Sequence, residues 1–412
     1  MKLLYVISGQ SYSANNHSRK IASLVNCWTG MGHQVELICG GDLLPSFRKK
    51  SVAKNVSNQG KPPWYRRTKI LQPLVNTVSE YANIRHDQRL ANFIEKKIEQ
   101  FQPDLYLQRS SRIDGRTLNA AIQSGVPTVL EWKDNIVVSK ASRKSIGRGD
   151  LYGFGFLKPY ARWVETWKEA NTPWLIVESE VLKQRLNKYL KRDPKHFVVA
   201  HNAVNAADFS VETNDRKTLR QQLGLPTDKF LAVFVGSFNW YQHVEYLVQA
   251  IANSRCPQHI QAVLVGDGKN RNECQELARQ LNVEDRVKFV GRVAHNEVPN
   301  YLSAADVAVL PHCTEIITPI KVQEYMAMGL TSLVPDFTAN REILEDGVTG
   351  VLFEPANIDA LVEKLIHLES DRDMCERIGK EARRIVESRF SWESTWGQAV
   401  THIHQFANGN RH

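Results

Sequence analysis

Twelve short apolar runs recur along the chain, separated by longer polar stretches or by apolar residues at helical spacing. In the first half they are residues 2–8 (KLLYVIS), 34–39 (QVELIC), 104–109 (DLYLQR), 128–132 (TVLEW), 174–179 (WLIVES) and 196–200 (HFVVA). In the second half they are 230–236 (FLAVFVG), 261–266 (QAVLVG), 287–291 (VKFVG), 307–311 (VAVLP), 331–335 (TSLVP) and 350–355 (GVLFEP). Nearly continuous apolar runs mark strands covered on both faces, the pattern of parallel sheets. Strands alternating with helical segments predict an α/β chain with helices on both sides of each sheet. Twelve strands exceed one sheet of usual size and divide into two sets of about six. The boundary is expected near residues 201–228, where HNAVNAADF leads into a polar stretch. A long helix is expected over 371–389, then a break, then a helix from Phe390 to Phe406 carrying Trp392 and Trp396.

The most informative segment is TPIKVQEYMAMG, Thr318 to Gly329, which follows the run VAVLP. Thr318 suits a helix cap, Pro319 the first helical position, and Gly329 the end of the helix. Lys321 and Glu324 are three apart and share one face. The predicted result is a helix start with N–H groups, a positive dipole end and an ammonium, which together suit an anion such as phosphate. Glu324, one turn further in, suits hydroxyl groups. A strand, loop and helix in this order place the helix start at the C-terminal edge of a sheet, where open α/β folds bind ligands. The plainer reading, a capped helix with an i, i+3 salt bridge, stays open.

Other strand exits carry turn signals. Gly9, Gln10 and Ser11 follow the first run, Gly236, Ser237 and Phe238 follow the seventh, and Gly266-Asp267-Gly268 follows the eighth. The first fits either an anion-approaching turn or a simple βα turn, and the Gly266-Asp267-Gly268 turn is a weak signal alone because Asp-Gly turns are common. G-x-G-x-x-G and Walker A spacings are absent. His243 and His312 fall at strand exits. Asp371 and Asp373 read as helix-start acids rather than metal ligands, and no metal-type spacing is found elsewhere.

The 412 residues suffice for two domains of ordinary size and carry a formal charge of +9. No apolar run reaches bilayer length, and the first residues form a strand rather than a signal sequence. Six scattered cysteines point to a reducing, cytoplasmic location without disulfides. Between Asp42 and Glu80 there is no acidic residue, while Arg48, Lys49, Lys50, Lys54, Lys61, Arg66, Arg67 and Lys69 all lie there with Trp64 and Tyr65. Such a segment suits an anionic membrane surface, or is a solvated basic loop. Nucleic acid is not expected, because no recognition motif accompanies the charge.

From Phe230 to about Phe390 the chain resembles the nucleotide-sugar domain of the retaining family 4 glycosyltransferases (glycosyltransferase group 1). The resemblance is carried by VLVGDGKN, DRVKFVGRVAHNEVPNYLSAADVAVLP, TPIKVQEYMAMG, REILEDGVTGVLFEP and RFSWE. HNAVNAADF is similar to that family's linker, with Asn202 and Phe209 in matching positions. GHQVELIC and FQPDLYLQR resemble its acceptor domain. The resemblance implies a GT-B fold: two Rossmann-like, doubly wound parallel-sheet domains facing across a cleft, with a C-terminal helix returning to the first. The expected division is 1–205, 206–389 and 390–412.

It further implies a retaining, metal-independent enzyme without cofactor. Such an enzyme moves a sugar from a nucleoside-diphosphate sugar to a glycan or lipid-linked acceptor in cell-surface polysaccharide or glycolipid synthesis. Lys321 would contact the diphosphate and Glu324 the ribose. The backbone at Thr318, Pro319 and Ile320 would reach the diphosphate and sugar. Val290, Gly291 and Arg292 would flank the base, and Gly266, Gly236 and the Gly9–Ser11 turn would line the donor. Three departures stand out. The position eight before Glu324, often acidic in the family, is Ile316, with Glu315 adjacent. An Arg and a Lys often found after the seventh strand are Ser237 and Gln242, with His243 beside them. After TVLEW, where His or a carboxylate is common, Asp134 and Asn135 are the candidates. These departures keep open a catalytically silent relative that binds a nucleotide sugar or a partner enzyme.

Overall fold

A computed structural model of the chain describes residues 1–9, 16–43, 72–111, 113–132, 155–191, 193, 196–210 and 215–409. Contacts divide it into two units. The first holds Met1–Glu178, Leu182–Ala200 and the segment from Trp396 on, and the second holds Ser179–Val181 and His201–Thr395.

The sheet of the first unit contains β1 (Lys2–Ile7), β2 (Gln34–Cys39), β3 (Leu105–Arg109), β4 (Thr128–Glu131), β5 (Trp174–Val177) and β6 (Phe197–Val199). Its order is β2-β1-β3-β4-β5-β6, all parallel. Helices α1 (Asn16–Gly30), α2 (Gln72–Phe101), α3 (Gly115–Gln123), α4 (Lys158–Asn171) and α5 (Glu180–Leu190) connect these strands. β1 and β3 to β5 are buried along nearly their whole length, as their unbroken apolar runs require.

The second sheet contains β7 (Phe230–Val235), β8 (Ile260–Val265), β9 (Val287–Gly291), β10 (Val307–Val309), β11 (Ser332–Pro335) and β12 (Val351–Phe353). Its order is β12-β11-β10-β7-β8-β9, again all parallel. Its helices are α6 (Arg216–Gln222), α7 (Glu245–Ala252), α8 (Arg271–Gln280), α9 (Val298–Ala304), α10 (Ile320–Ala327), α11 (Thr338–Arg341), α12 (Ile358–Ser370) and α13 (Arg372–Arg389). All twelve expected strands form. The runs overreach mainly at their ends: residues 310–311 leave the sheet after a single further bond, Leu310 N to Leu333 O at 2.9 Å.

Asp371 caps α13, accepting from the Met374 N–H at 2.9 Å, so the helix-start reading of the Asp371–Asp373 acids holds. After α13 a π turn (Glu393–Gly397) leads into α14 (Gln398–Gly409) in the first unit. There Trp396 is fully buried. Lys20 Nζ stands 4.2 Å over its ring, and its carbonyl accepts from Trp28 Nε1 at 3.5 Å. The six cysteines are buried and none is in a disulfide.

Candidate active site at the switch point of the second sheet

In each sheet the chain first winds one way and then returns to the other side of its starting strand. In the second sheet the reversal lies between β7 and β10, which are neighbours. Loops leaving the C-terminal ends of such strands diverge and open a crevice. Most of the expected donor residues hang on the loops at this end of the sheet.

The loop after β10 leads to α10. Pro319 is the N-cap residue, with φ −75° and ψ 124°, and no side chain caps the helix. The expected cap, Thr318, is therefore corrected. It is fully buried, and its carbonyl accepts from Asn202 Nδ2 at 2.9 Å, which turns the residue inward. Pro319 accordingly precedes the helix rather than opening it. No capping side chain offsets the positive end of the α10 dipole. Gly329, at φ +66°, ends the helix as expected, its N–H bonding to Met326 O at 2.9 Å.

Lys321 lies in the first turn of α10. Its Nζ donates to Gln242 Oε1 at 2.8 Å and stands 4.8 Å from the centroid of the Phe234 ring. Both partners come from β7 and its exit, so the ammonium spans the switch point. Burial lowers the Lys321 pKa to about 8, against the opposing pull of Glu324 and Cys313. Gln242 is buried in the single turn Trp240–Gln242.

Three exits are tied together behind this pair. Gly236 N donates to Val265 O at 2.9 Å, Gly266 N to Gly291 O at 2.7 Å, and Phe238 N to Asp267 O at 3.0 Å. Gly266, at φ +134°, lies so close to Gly236 that a Cβ would overlap the Gly236 carbonyl. Only glycine permits these loops to stack this tightly. Ser237, Val290 and Gly291 are half-buried and Arg292 is exposed.

His243 sits at the left-handed φ of +41°. Its Nδ1 lies 2.7 Å from Glu245 Oε1, its ring stacks on Tyr246 at 4.7 Å, and its edge meets His312 at 4.8 Å. His312 is held by the Tyr241 carbonyl at 3.1 Å, and burial lowers its pKa. His243 of this histidine–tyrosine cluster directly follows Gln242 in the chain. Ile316 is 4 % exposed, so its side chain packs inward and is corrected as a donor-facing group. Glu315 and Glu324 are half-buried.

In the first unit Gly9 is exposed after β1, and a Cβ there would lie 3.2 Å from Ser111 Oγ. Gln10, Ser11, Asp134, Asn135, Arg48, Lys49, Lys50, Trp64, Tyr65, Arg66, Arg67 and Lys69 lie outside the described residues. Two buried networks that the sequence does not announce underlie the C-terminal edge of this sheet. Lys168 Nζ binds Asp114 Oδ1 at 2.5 Å and the Ser111 carbonyl at 2.6 Å, while Asp114 Oδ2 accepts from Ser8 Oγ at 2.7 Å and Gln108 Nε2 at 2.9 Å. Glu131 takes Tyr5 Oη at 2.8 Å and Arg109 Nη1 at 2.9 Å. Among the described residues no group of three His, Cys, Asp or Glu side chains is placed to hold a metal, and no helix is long and apolar enough to cross a membrane.

Residues 215–385 match the family described as glycosyl transferases group 1. An uncharacterized glycosyltransferase of Methanocaldococcus jannaschii is 25 % identical over 228 residues, 55 % of this chain and 58 % of its own length. The UDP-Gal:alpha-D-GlcNAc-diphosphoundecaprenol alpha-1,3-galactosyltransferase of Escherichia coli is 25 % identical over 303 residues, 72 % of this chain and 74 % of its own. Among solved structures, Anabaena HepE in complex with UDP superposes with a TM-score of 0.70 at 16 % identity, covering 100 % of this chain and 99 % of its own. WaaG, a glycosyltransferase involved in lipopolysaccharide biosynthesis, gives 0.66 at 16 % identity over 96 % and 98 % of the two chains. The two doubly wound sheets, with the last helix returned to the first, are thus the GT-B fold, and residues 215–385 of the second unit match the model of glycosyl transferases group 1.

Proposed function

We propose that the chain transfers a glycosyl group, with retention and without a metal ion, from a nucleoside-diphosphate sugar to a hydroxyl of a glycan or lipid-linked acceptor. The observation that carries this reading is the Lys321 ammonium. It is held by a neutral amide at an uncapped helix start, in the switch-point crevice of a glycosyltransferase group 1 domain. The bond from the anomeric carbon to the diphosphate oxygen breaks as the acceptor oxygen approaches the same face. The acceptor proton leaves with the diphosphate. Negative charge grows on that leaving group, and Lys321 with the α10 dipole is placed to stabilise it. Glu324, one turn on, is assigned to the ribose hydroxyls, and Val290–Arg292 to the base. By the resemblance, Gly9 and its turn are assigned to the donor diphosphate, and Asp134 and Asn135 are candidates for contact with the reacting sugar.

HepE is described with UDP and the bacterial relative is named for UDP-Gal, so UDP is the nucleotide to test first. Thermal shifts with UDP, GDP and ADP read binding directly, because a ligand of the folded state stabilises it by RT ln(1 + [L]/Kd). Release of nucleoside diphosphate from the matching sugar donor then reads transfer. Lys321→Ala is expected to lower that rate on the order of 10²–10³-fold. Binding without release over hours supports the silent relative instead, and an unchanged rate in Lys321→Ala rejects the assignment.

The proposal includes a peripheral place at the cytoplasmic face of an anionic membrane. Val78, Tyr81, Phe156 and Trp163 are exposed apolar groups on α2, on α4 and on the turn Gly155–Leu157 that leads into α4, and the Phe156 N–H donates to Thr77 Oγ1 of α2 at 2.9 Å. In sequence this face adjoins the acid-free basic segment from Arg48 to Lys69. Basic residues near an anionic surface contribute about 1 kcal/mol each, and aromatic rings settle at headgroup level. Co-sedimentation with anionic vesicles should weaken with salt and be lost on changing Arg66, Arg67 and Lys69 to Glu. Equal binding to neutral vesicles rejects it.

A further inference from the structure

We propose that Gln242 is a positioning residue: its carboxamide holds the Lys321 ammonium at the switch point without neutralising it, keeping the charge for the donor diphosphate. The inference rests on the proposed function above and assigns a division of labour within that site. Three parts of one strand and its exit fix the ammonium. The Gln242 oxygen accepts from it at 2.8 Å, the Phe234 ring lies 4.8 Å beneath it, and the missing Cβ of Gly236 leaves the space that it occupies. An ammonium has three donors, so one bond to Gln242 leaves two for phosphate oxygens. A carboxylate at the same place would form a desolvated ion pair that the diphosphate would have to break. A neutral acceptor positions the nitrogen and asks for no such exchange.

The surrounding charges support the choice of an amide. Glu324, on the next turn of α10, pulls the Lys321 pKa up, yet burial dominates and sets it at about 8. The Cys313 thiol, in the loop after β10, is pushed up to about 12 by burial and stays neutral. His312 and His243 stand on the two flanking loops, and burial lowers the His312 pKa, which keeps that ring neutral near pH 7. The lysine is therefore charged below about pH 8 and loses its charge above it.

The test measures UDP affinity of the full chain from pH 6.5 to 10, with GDP in parallel, for wild type, Gln242→Glu and the near-isosteric Gln242→Met. Wild type should bind more weakly as pH rises past Lys321 deprotonation. With Glu at 242 the alkaline limb should move up by about one pH unit or more, because an opposite charge stabilises the ammonium. Affinity at pH 7 should fall about tenfold, a difference near 1.4 kcal/mol. With Met at 242 the limb should move down and kcat should fall more than KM rises. Limbs that coincide in all three proteins overturn the inference, even if melting temperatures change, because a purely structural role moves stability and leaves the limb alone. Failure of the wild type to bind either nucleotide overturns the reading of the site, and this inference with it.

Discussion

Gly236 and Lys321 share one small volume: a Cβ at residue 236 would collide with the Lys321 ammonium and come within 3.1 Å of Gln242 Oε1. The glycine thus makes room for a charge, in addition to easing the turn after β7. Gly236→Ala should displace the ammonium and weaken nucleoside-diphosphate binding about tenfold or more, roughly the contribution of one charged hydrogen bond. Calorimetric titration with UDP checks this. Unchanged affinity would mean the ammonium is free to sit elsewhere.

Asn202 ties the linker to the donor loop. Its Nδ2 donates to the Thr318 carbonyl at 2.9 Å, and its own carbonyl accepts from Gln323 Nε2. Asn202→Ala deletes the first bond, a loss of about 1 kcal/mol. Chemical denaturation should show that loss, and nucleotide affinity should fall with it because Thr318 leads directly into α10.

In the first unit the Lys168–Asp114 pair is almost fully enclosed, both side chains being at most 2 % exposed. Lys168→Met should cost about 3–5 kcal/mol, because it strands the Asp114 charge. The double change with Asp114→Leu should recover much of that. If the double variant is as unstable as the single one, the buried charge is not the cause.

Glu169 supplies a pH signature. Burial pushes its pKa from 4.5 to about 7, although Trp132 Nε1 donates to it at 2.8 Å. The folded chain therefore holds a proton that the unfolded chain releases between these values. Stability from this group is present below pH 4.5 and is lost as pH rises through about 7. Glu169→Gln should raise the melting temperature at pH 8 and change it little at pH 5. An equal shift at both values would rule this out.

Much of the architecture was legible because each buried parallel strand writes itself as an apolar run. All twelve strands and the end of α10 at Gly329 follow from that rule and from glycine's left-handed freedom. The start of α10 was misread by one residue. Thr318 has the chemistry of a cap, but a tertiary bond from Asn202, 116 positions away, holds its carbonyl and its side chain goes into the core. Ile316 likewise could not be sorted from its acidic neighbour until burial was known. The Lys168–Asp114 and Arg109–Glu131 pairs were invisible for the same reason: their partners lie 54 and 22 positions apart, and no local pattern joins them.

The return of Trp396 and α14 to the first unit has a consequence in time. A ribosome issues residues in order, so every residue of the second sheet emerges before the segment that covers Trp28 and Lys20. Until then the Trp28 indole N–H lacks the Trp396 carbonyl and the Lys20 ammonium lacks the Trp396 ring. The second unit can mature as an insert while the first waits, half-built, for its last helix.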